Sequence, residues 1–151
     1  MSTVVIGMGA GRQGAGPLVV DLLRHMNVPD VRLAESDGDP ADLVEQWDKA
    51  DLAVVVTAVD AGGPPGRVRH IGLPDPAGTA LDGGLTAHAA TTGISAALAL
   101  GQARARMPGR LMVCGIEIDP RFGDRLTPPV REACQRLATQ LSDLVVSAQV
   151  W

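Results

Sequence analysis

Residues 52–66 read Leu-Ala-Val-Val-Val-Thr-Ala-Val-Asp-Ala-Gly-Gly-Pro-Pro-Gly and carry the main architectural signal of the chain. The almost continuous apolar run at 52–58 predicts a strand that is buried on both faces, as in a parallel sheet covered by helices. The glycines and prolines at 62–66 predict a tight turn directly after it. A buried central strand that ends at a turn is therefore the starting point for the fold.

Strands and helices alternate on both sides of this stretch. Apolar patterns predict further strands at 3–8, 31–35, 67–71 and 111–118. Helices are predicted at 17–26, at 40–47 with Asp39 as the cap, at about 86–106, and from Thr127-Pro128-Pro129 onward, while 71–84 is turn-rich and expected to be irregular. The last helix carries an apolar stripe of Val130, Cys134, Leu137, Leu141 and Leu144.

This alternation predicts a three-layer α/β sandwich, with a mostly parallel sheet of about five strands and helices on both faces. A chain of 151 residues suits one ordinary domain, so residues 1–151 are expected to form a single domain. In such sheets binding sites lie beyond the carboxyl ends of the strands. The residues that this rule nominates are the loop at 9–16, the segment after Val56 and the neighbourhood of His88.

Composition narrows the class of partner. The net charge is -4 without a block of like charges, and aromatic residues make up 2%, so we expect neither nucleic acid nor a membrane surface as partner. The start of the chain lacks a signal-peptide pattern, and no segment approaches the roughly 18 apolar residues of a membrane span. Cys114 and Cys134 are expected to be buried reduced thiols, which suits a cytoplasmic protein.

The first loop contains a G-x-G-x-x-G pattern formed by Gly9, Gly11 and Gly14, and Glu35 lies 21 residues beyond Gly14. In a dinucleotide-binding protein such glycines approach a pyrophosphate at a helix N-terminus, and the carboxylate accepts from a ribose hydroxyl. The alternative is that the glycines only permit a tight turn between strand and helix. The short remainder of the chain, with no room for a substrate domain, favours the second interpretation.

Four segments in the same order resemble the hydrogenase maturation endopeptidases. They are Val5-Ile6-Gly7-Met8-Gly9 with Gly16-Pro17, the strand and Gly-Pro-Pro-Gly turn at 52–68, Thr86-Ala87-His88 with Gly93, and Gly115-Ile116-Glu117 followed by Gly123-Asp124-Arg125-Leu126-Thr127-Pro128. The resemblance covers nearly the whole chain. It implies a cytoplasmic peptidase that removes a C-terminal extension from the large subunit of a nickel-iron hydrogenase, with a five-stranded sheet between helices.

The resemblance also implies a metal site. The family holds nickel or a substitute cation with a carboxylate in the first loop, an aspartate at the end of the central strand and a histidine opening a later helix. Those positions are Gln13, Thr57 and His88 in this chain. An amide and a hydroxyl replace two anionic ligands, so we expect no tightly bound cofactor, and only weak binding of nickel or another divalent metal.

Other side chains predicted near the carboxyl ends of the strands leave alternatives open for this site. Asp60 and Glu35 could rebuild a carboxylate and imidazole site with His88, although the pattern favours a turn residue for Asp60 and a solvated loop carboxylate for Glu35. Gln13 and Thr57 could instead form a neutral pocket in which Arg12 attracts a carboxylate or phosphate. We therefore expect a divergent maturation-protease-like protein with an altered site, which either processes a hydrogenase-like large-subunit precursor or retains only binding.

Overall fold

The computed structural model describes residues 2–9, 14–60, 62–73, 93–122 and 125–149. These residues contain five strands, four α-helices and a short 3-10 helix at Pro120–Phe122. The strands are β1 Thr3–Met8, β2 Val31–Ser36, β3 Leu52–Val59, β4 Val68–Leu73 and β5 Arg110–Glu117. The α-helices are α1 Ala15–His25, α2 Pro40–Trp47, α3 Ile94–Ala103 and α4 Pro128–Gln149.

The five strands form one sheet in the order β2-β1-β3-β5-β4. The pairs β1 with β2, β1 with β3 and β3 with β5 are parallel, whereas β4 runs antiparallel to β5. The predicted fold class, a mostly parallel five-stranded α/β sandwich, is confirmed. Because β4 is antiparallel, its first residues lie at the carboxyl end of β5 and add side chains to that edge.

The core consists of two apolar layers, one on each face of the sheet. On one face α1 and α4 pack against Val54, Val56 and Ile116. On the other face α2 and α3 cover Ala53 and Val55. The central strand β3 is therefore buried on both sides, as its apolar sequence predicts.

Local signals explain where the helices begin. The Asp39 side chain accepts a hydrogen bond from the Asp42 amide at 3.0 Å, and Pro40 takes the first helical position of α2. In α4 the predicted stripe is buried at Val130, Cys134, Leu137 and Leu141, and Leu144 is partly buried against the same layer. The capping and stripe predictions are confirmed.

Two predicted boundaries are wrong. Residues 72–73, expected to be irregular, continue β4 because Gly72 pairs with Met112 and Leu73 with Leu111. The predicted helix at 86–106 ends earlier, at Ala103, because Ala105 adopts a positive φ of 54° and leaves the helix. The first part of that predicted helix, 86–92, lies outside the described residues.

Helix α1 packs closely on the sheet near the carboxyl ends of β1 and β3. A Cβ added to Gly16 would lie 2.5 Å from the Met8 carbonyl oxygen and 2.6 Å from that of Val56. Only glycine lets the first turn of α1 approach both strands so closely.

Across the part of the chain that is described, no helix is long and apolar enough to cross a membrane.

Candidate functional site

The carboxyl ends of β1, β3 and β5 converge on one edge of the sheet, where Thr57 lies near the end of the central strand. Thr57 is 3% exposed, and its hydroxyl donates a long hydrogen bond of 3.3 Å to the carbonyl of Ala58. Asp60 follows the strand directly and is exposed. Thr57 therefore contributes a neutral hydroxyl to this edge, and this group can donate or accept a hydrogen bond.

Thr57, Gly115 and Arg69 lie in one row across β3, β5 and β4. Gly115 is the register partner of Thr57 on one side and of Arg69 on the other. Thr57 and Arg69 are therefore separated by two strand spacings, about 10 Å, with only a glycine between them. Gly115 contributes no side chain of its own to the space over this row.

Glu117 is a fully buried carboxylate in the next row of β5, with 0% exposure. Its Oε1 accepts a hydrogen bond from the Nε of Arg69 at 2.8 Å, and the Arg69 side chain is 32% exposed. A buried carboxylate is stabilised by such a charge-assisted hydrogen bond, which also fixes the orientation of the guanidinium. Because alternate residues share a face of a strand, Glu117 lies on the same face as Thr57 and Arg69.

Glu117 also fastens the glycine and proline turn to the sheet. Its carbonyl oxygen accepts from the Gly66 amide at 2.8 Å, and its own amide donates to the Arg67 carbonyl at 2.8 Å. A Cβ on Gly63 would lie 2.9 Å from Oε1 of Glu117, so the turn packs directly on the carboxylate. The turn forms a wall of the site beside the Thr57 row.

Several residues nominated by sequence lie outside the described residues: His88, Gln13, Arg12 and Gly11. Of the remainder, Glu35 is exposed at the end of β2, two strands away from Thr57. Its strand places Glu35 on the α1 and α4 face, because Val31 and Leu33 pack there, whereas Thr57 lies on the opposite face. The structure therefore does not bring Glu35 and Thr57 together.

The dinucleotide hypothesis stays a prediction. Gly14 has a positive φ of 106° just before α1, and the Gly9 amide donates to the Ser36 carbonyl at 3.0 Å. Glu35 precedes Ser36, so it lies one residue before the end of β2, next to the first loop. These contacts explain the loop geometry of Gly9 and Gly14 without requiring a ligand.

The donor set named by the family resemblance does not suit a divalent transition metal. A buried threonine hydroxyl is a neutral, weak ligand, and the amide of Gln13 is neutral as well. Within 2–9, 14–60, 62–73, 93–122 and 125–149 no group of three or more His, Cys, Asp or Glu side chains is arranged to hold a metal ion. Asp60 is the exposed carboxylate nearest in sequence to Thr57.

The cysteines supply no nucleophile. Both are free and buried, as predicted. The Sγ of Cys114 lies 3.5 Å from Nδ1 of His70, but burial raises the pKa of the Cys114 thiol to about 12. Burial also raises the pKa of Cys134 to about 11, partly offset by nearby Arg131. Both thiols are therefore protonated at neutral pH, and the thiolate needed for attack is scarce.

A cleft also lies at the opposite, amino edge of the sheet, lined in part by Thr3, Arg32, Asp48 and Lys49. Two of its four charged side chains are engaged locally, because Asp48 pairs with Arg106 at 3.0 Å and Arg32 bonds to Gln46. The site rule for parallel sheets places ligands at the other edge.

Arg69 and Glu117 are the site residues that sequence reasoning missed. They are separated by 48 residues, and strand pairing alone brings them together. A signal was present, because Glu117 is a charged residue within the apolar stretch Leu-Met-Val-Cys-Gly-Ile-Glu-Ile. A carboxylate in a buried strand requires a partner, and Arg69 in the edge strand β4 is a basic residue that can supply it.

Comparison with known proteins gives a match at the level of structure. No profile of a known protein family matches the sequence, and no curated protein matches it. The hydrogenase maturating endopeptidase HybD from E. coli superposes with a TM-score of 0.72 at 15% identity, covering 98% of this chain and 94% of that chain.

Two archaeal maturation protease structures also superpose on nearly the whole chain. The [NiFe] hydrogenase maturation protease HybD from Thermococcus kodakarensis gives a TM-score of 0.64 at 18% identity, over 95% of this chain and 99% of that chain. The hydrogenase 2 maturation peptidase from a Thaumarchaeota archaeon gives 0.60 at 23% identity, over 99% of this chain and 98% of that chain. Over nearly its whole length, the chain has the fold of the hydrogenase maturation proteases.

Proposed function

We propose that the protein is a divergent member of the hydrogenase maturation endopeptidase group that acts in the cytoplasm on the C-terminal segment of a hydrogenase-like large-subunit precursor. The observation that carries the proposal is the agreement of the entire fold with such proteases, at 98% coverage of this chain and a TM-score of 0.72. The retained Gly-Pro-Pro-Gly turn, fastened beside the site by Glu117, supports it.

The proposal includes an altered site without a tightly held metal. Thr57 stands where the resemblance implies an aspartate, and Gln13 stands where it implies a second carboxylate. Without those anionic oxygens, His88 would be the only strong ligand among the three positions. Recognition of the precursor would therefore depend on contacts other than a shared nickel ion.

The described residues are better equipped for binding than for hydrolysis. Activation of water requires a positioned group that accepts a proton, which a threonine hydroxyl cannot do at neutral pH. Glu117 is buried and already engaged by Arg69, so it is not available as that base. Asp60, exposed at the end of β3, is the carboxylate that would have to serve if the chain cleaves its substrate.

The experiment uses a nickel-loaded large-subunit precursor that retains its C-terminal extension, and a matched precursor truncated at the mature end. We expect a complex in size-exclusion chromatography with the extended form alone. Mass spectrometry of the same mixture distinguishes processing, in which the extension is lost, from binding without cleavage. In a processing outcome, Asp60→Asn should abolish cleavage and preserve the complex. Equal behaviour of the two precursors, or no complex and no cleavage, would overturn the proposal.

A further inference from the structure

We infer that the outer edge of β4 binds an extended acidic peptide by adding it to the sheet as a further strand. The inference rests on the proposed function only in taking a peptide as the ligand. Its basis is the direction of the backbone groups of β4 and the charge of the residues that carry and precede them.

Strand β4 lies at one side of the sheet. In the order β2-β1-β3-β5-β4 it has β5 as its neighbour, and no strand of the described residues pairs with its other side. Its six residues include no proline, so each of them carries an N–H group that can bind a neighbouring strand. Such an edge is a template on which another extended chain can pair.

The hydrogen bonds at the start of β4 determine which backbone groups point outward. The Glu117 amide donates to the Arg67 carbonyl at 2.8 Å, so residue 67 faces β5. The facing alternates along an antiparallel pair, and the register continues with Arg69 opposite Gly115. Residues 69, 71 and 73 therefore face β5. The backbone groups that point away from the sheet belong to Val68, His70 and Gly72.

These outward groups suit an extended peptide. They recur at every second residue, about 7 Å apart, which is the repeat of a β-strand. The side chain of His70 is exposed and that of Val68 is partly buried. A peptide strand can therefore exchange main-chain hydrogen bonds with all three residues, in the way that main-chain pairing provides affinity in other edge-strand complexes.

The charge of the edge selects the kind of peptide. Residues 62–73 contain two arginines and one histidine but no Asp or Glu. Arg67 is exposed and takes part in none of the ion pairs among the described residues, whereas Arg69 is paired with Glu117. Acidic side chains on an added strand would be attracted to Arg67. A second copy of this edge would offer Arg67 no carboxylate, so an acidic peptide is the better partner.

The direction of β4 connects this edge to the candidate site. The strand begins beside the Gly-Pro-Pro-Gly turn at the carboxyl end of β5, and it ends with Leu73 opposite Leu111, near the amino edge. A peptide along β4 therefore has one end beside the candidate site.

The test is amide hydrogen exchange of the ¹⁵N-labelled full chain, followed by NMR. In the free chain we expect the outward amides at 68, 70 and 72 to exchange about tenfold faster or more than the inward amides at 69, 71 and 73. The probe is N-acetyl-Glu-Val-Glu-Thr-Glu-Val-amide. At saturation it should slow the outward amides by about tenfold or more and change the inward amides by less than about twofold.

Two control peptides separate strand pairing from charge. The same sequence with a methyl group on every backbone nitrogen keeps its carboxylates but cannot donate to β4, so it should give no protection. The sequence with lysine in place of each glutamate should bind more weakly by about threefold or more. Arg67→Glu should reverse this preference, whereas Arg32→Glu, the same change in β2 at the opposite edge of the sheet, should leave it unaltered.

Outward amides that are as protected as the inward ones in the free chain would overturn the inference, because the edge would then already be paired. Equal protection by the N-methylated peptide, or an unchanged glutamate preference in Arg67→Glu, would also overturn it. None of these readouts requires cleavage or a hydrogenase precursor. A failed precursor experiment therefore leaves this result standing, and a failed exchange experiment leaves the precursor experiment interpretable.

Discussion

The hydroxyl of Thr57 and the carboxylate of Glu117 show how single side chains set the chemistry of this edge. Thr57 is buried at the end of the central strand, where it can donate a hydrogen bond but carries no charge. Glu117 carries the buried negative charge, and Arg69 neutralises it. The position of Thr57 could be anticipated from sequence because it lies near the end of an apolar strand, whereas the Arg69 and Glu117 pair depends on a contact between distant segments.

The two cysteines give a test of burial at neutral and alkaline pH. Burial raises the pKa of Cys114 from 9.0 to about 12 and that of Cys134 from 9.0 to about 11. The folded state therefore favours the neutral thiols, and this stabilisation is complete below about pH 9 and is lost as pH rises through the folded values.

We expect the free energy of unfolding to fall above pH 9 by up to about 1.4 kcal/mol per pH unit for each thiol. The chain has no tyrosine, and Lys49 is its single lysine, so few other groups titrate in this range. Urea unfolding of the native chain and of a Cys114→Ala, Cys134→Ala double variant measures the slope. A slope that persists unchanged in the double variant would contradict this account.

The elements were largely predictable because their signals are local. Asp39 and Pro40 mark the start of α2, and the apolar run of β3 marks a strand with two covered faces. The antiparallel placement of β4 next to β5 was not predictable in the same way, because it depends on a partner 48 residues away at the Arg69 and Glu117 pair. The end of α3 was also misjudged, since Ala105 leaves the helix with no glycine or proline to signal it.

The contact of α1 with the sheet predicts a sharp difference between two helical glycines. In Gly16→Ala the new Cβ would meet backbone oxygens of Met8 and Val56 at 2.5 Å and 2.6 Å, which cannot move without shifting strands. In Gly101→Ala the nearest atom is the Met107 sulfur at 2.7 Å, which belongs to a flexible side chain, and the nearest backbone atom is the Arg106 carbonyl oxygen at 3.1 Å.

We expect Gly16→Ala to lower the free energy of unfolding by about 2 kcal/mol or more. Gly101→Ala should remain within about 1 kcal/mol of the native chain, because higher helix propensity offsets the smaller rearrangement. Urea denaturation of both variants provides the comparison. Similar losses at the two sites would show that α1 does not depend on close approach to β1 and β3.

The whole molecule shares its fold with the hydrogenase maturation proteases although few residues are identical. The superposition on E. coli HybD covers 98% of this chain and 94% of that chain at only 15% identity. A sheet of apolar strands covered by helices tolerates such sequence divergence as long as the volume and the hydrophobic pattern of the core are kept. The chemistry of a site, in contrast, depends on individual side chains. We therefore expect the chain to keep its fold when carboxylates are introduced at positions 13 and 57.

Nickel titration by calorimetry, on the native chain and on a Gln13→Glu, Thr57→Asp double variant, tests the central claim most directly. The account predicts no nickel binding tighter than about micromolar in the native chain and a clear gain in the variant, because two anionic oxygens join the His88 imidazole. Tight stoichiometric binding by the native chain would contradict the account and would show that other carboxylates, with Asp60 foremost, replace the missing ligands.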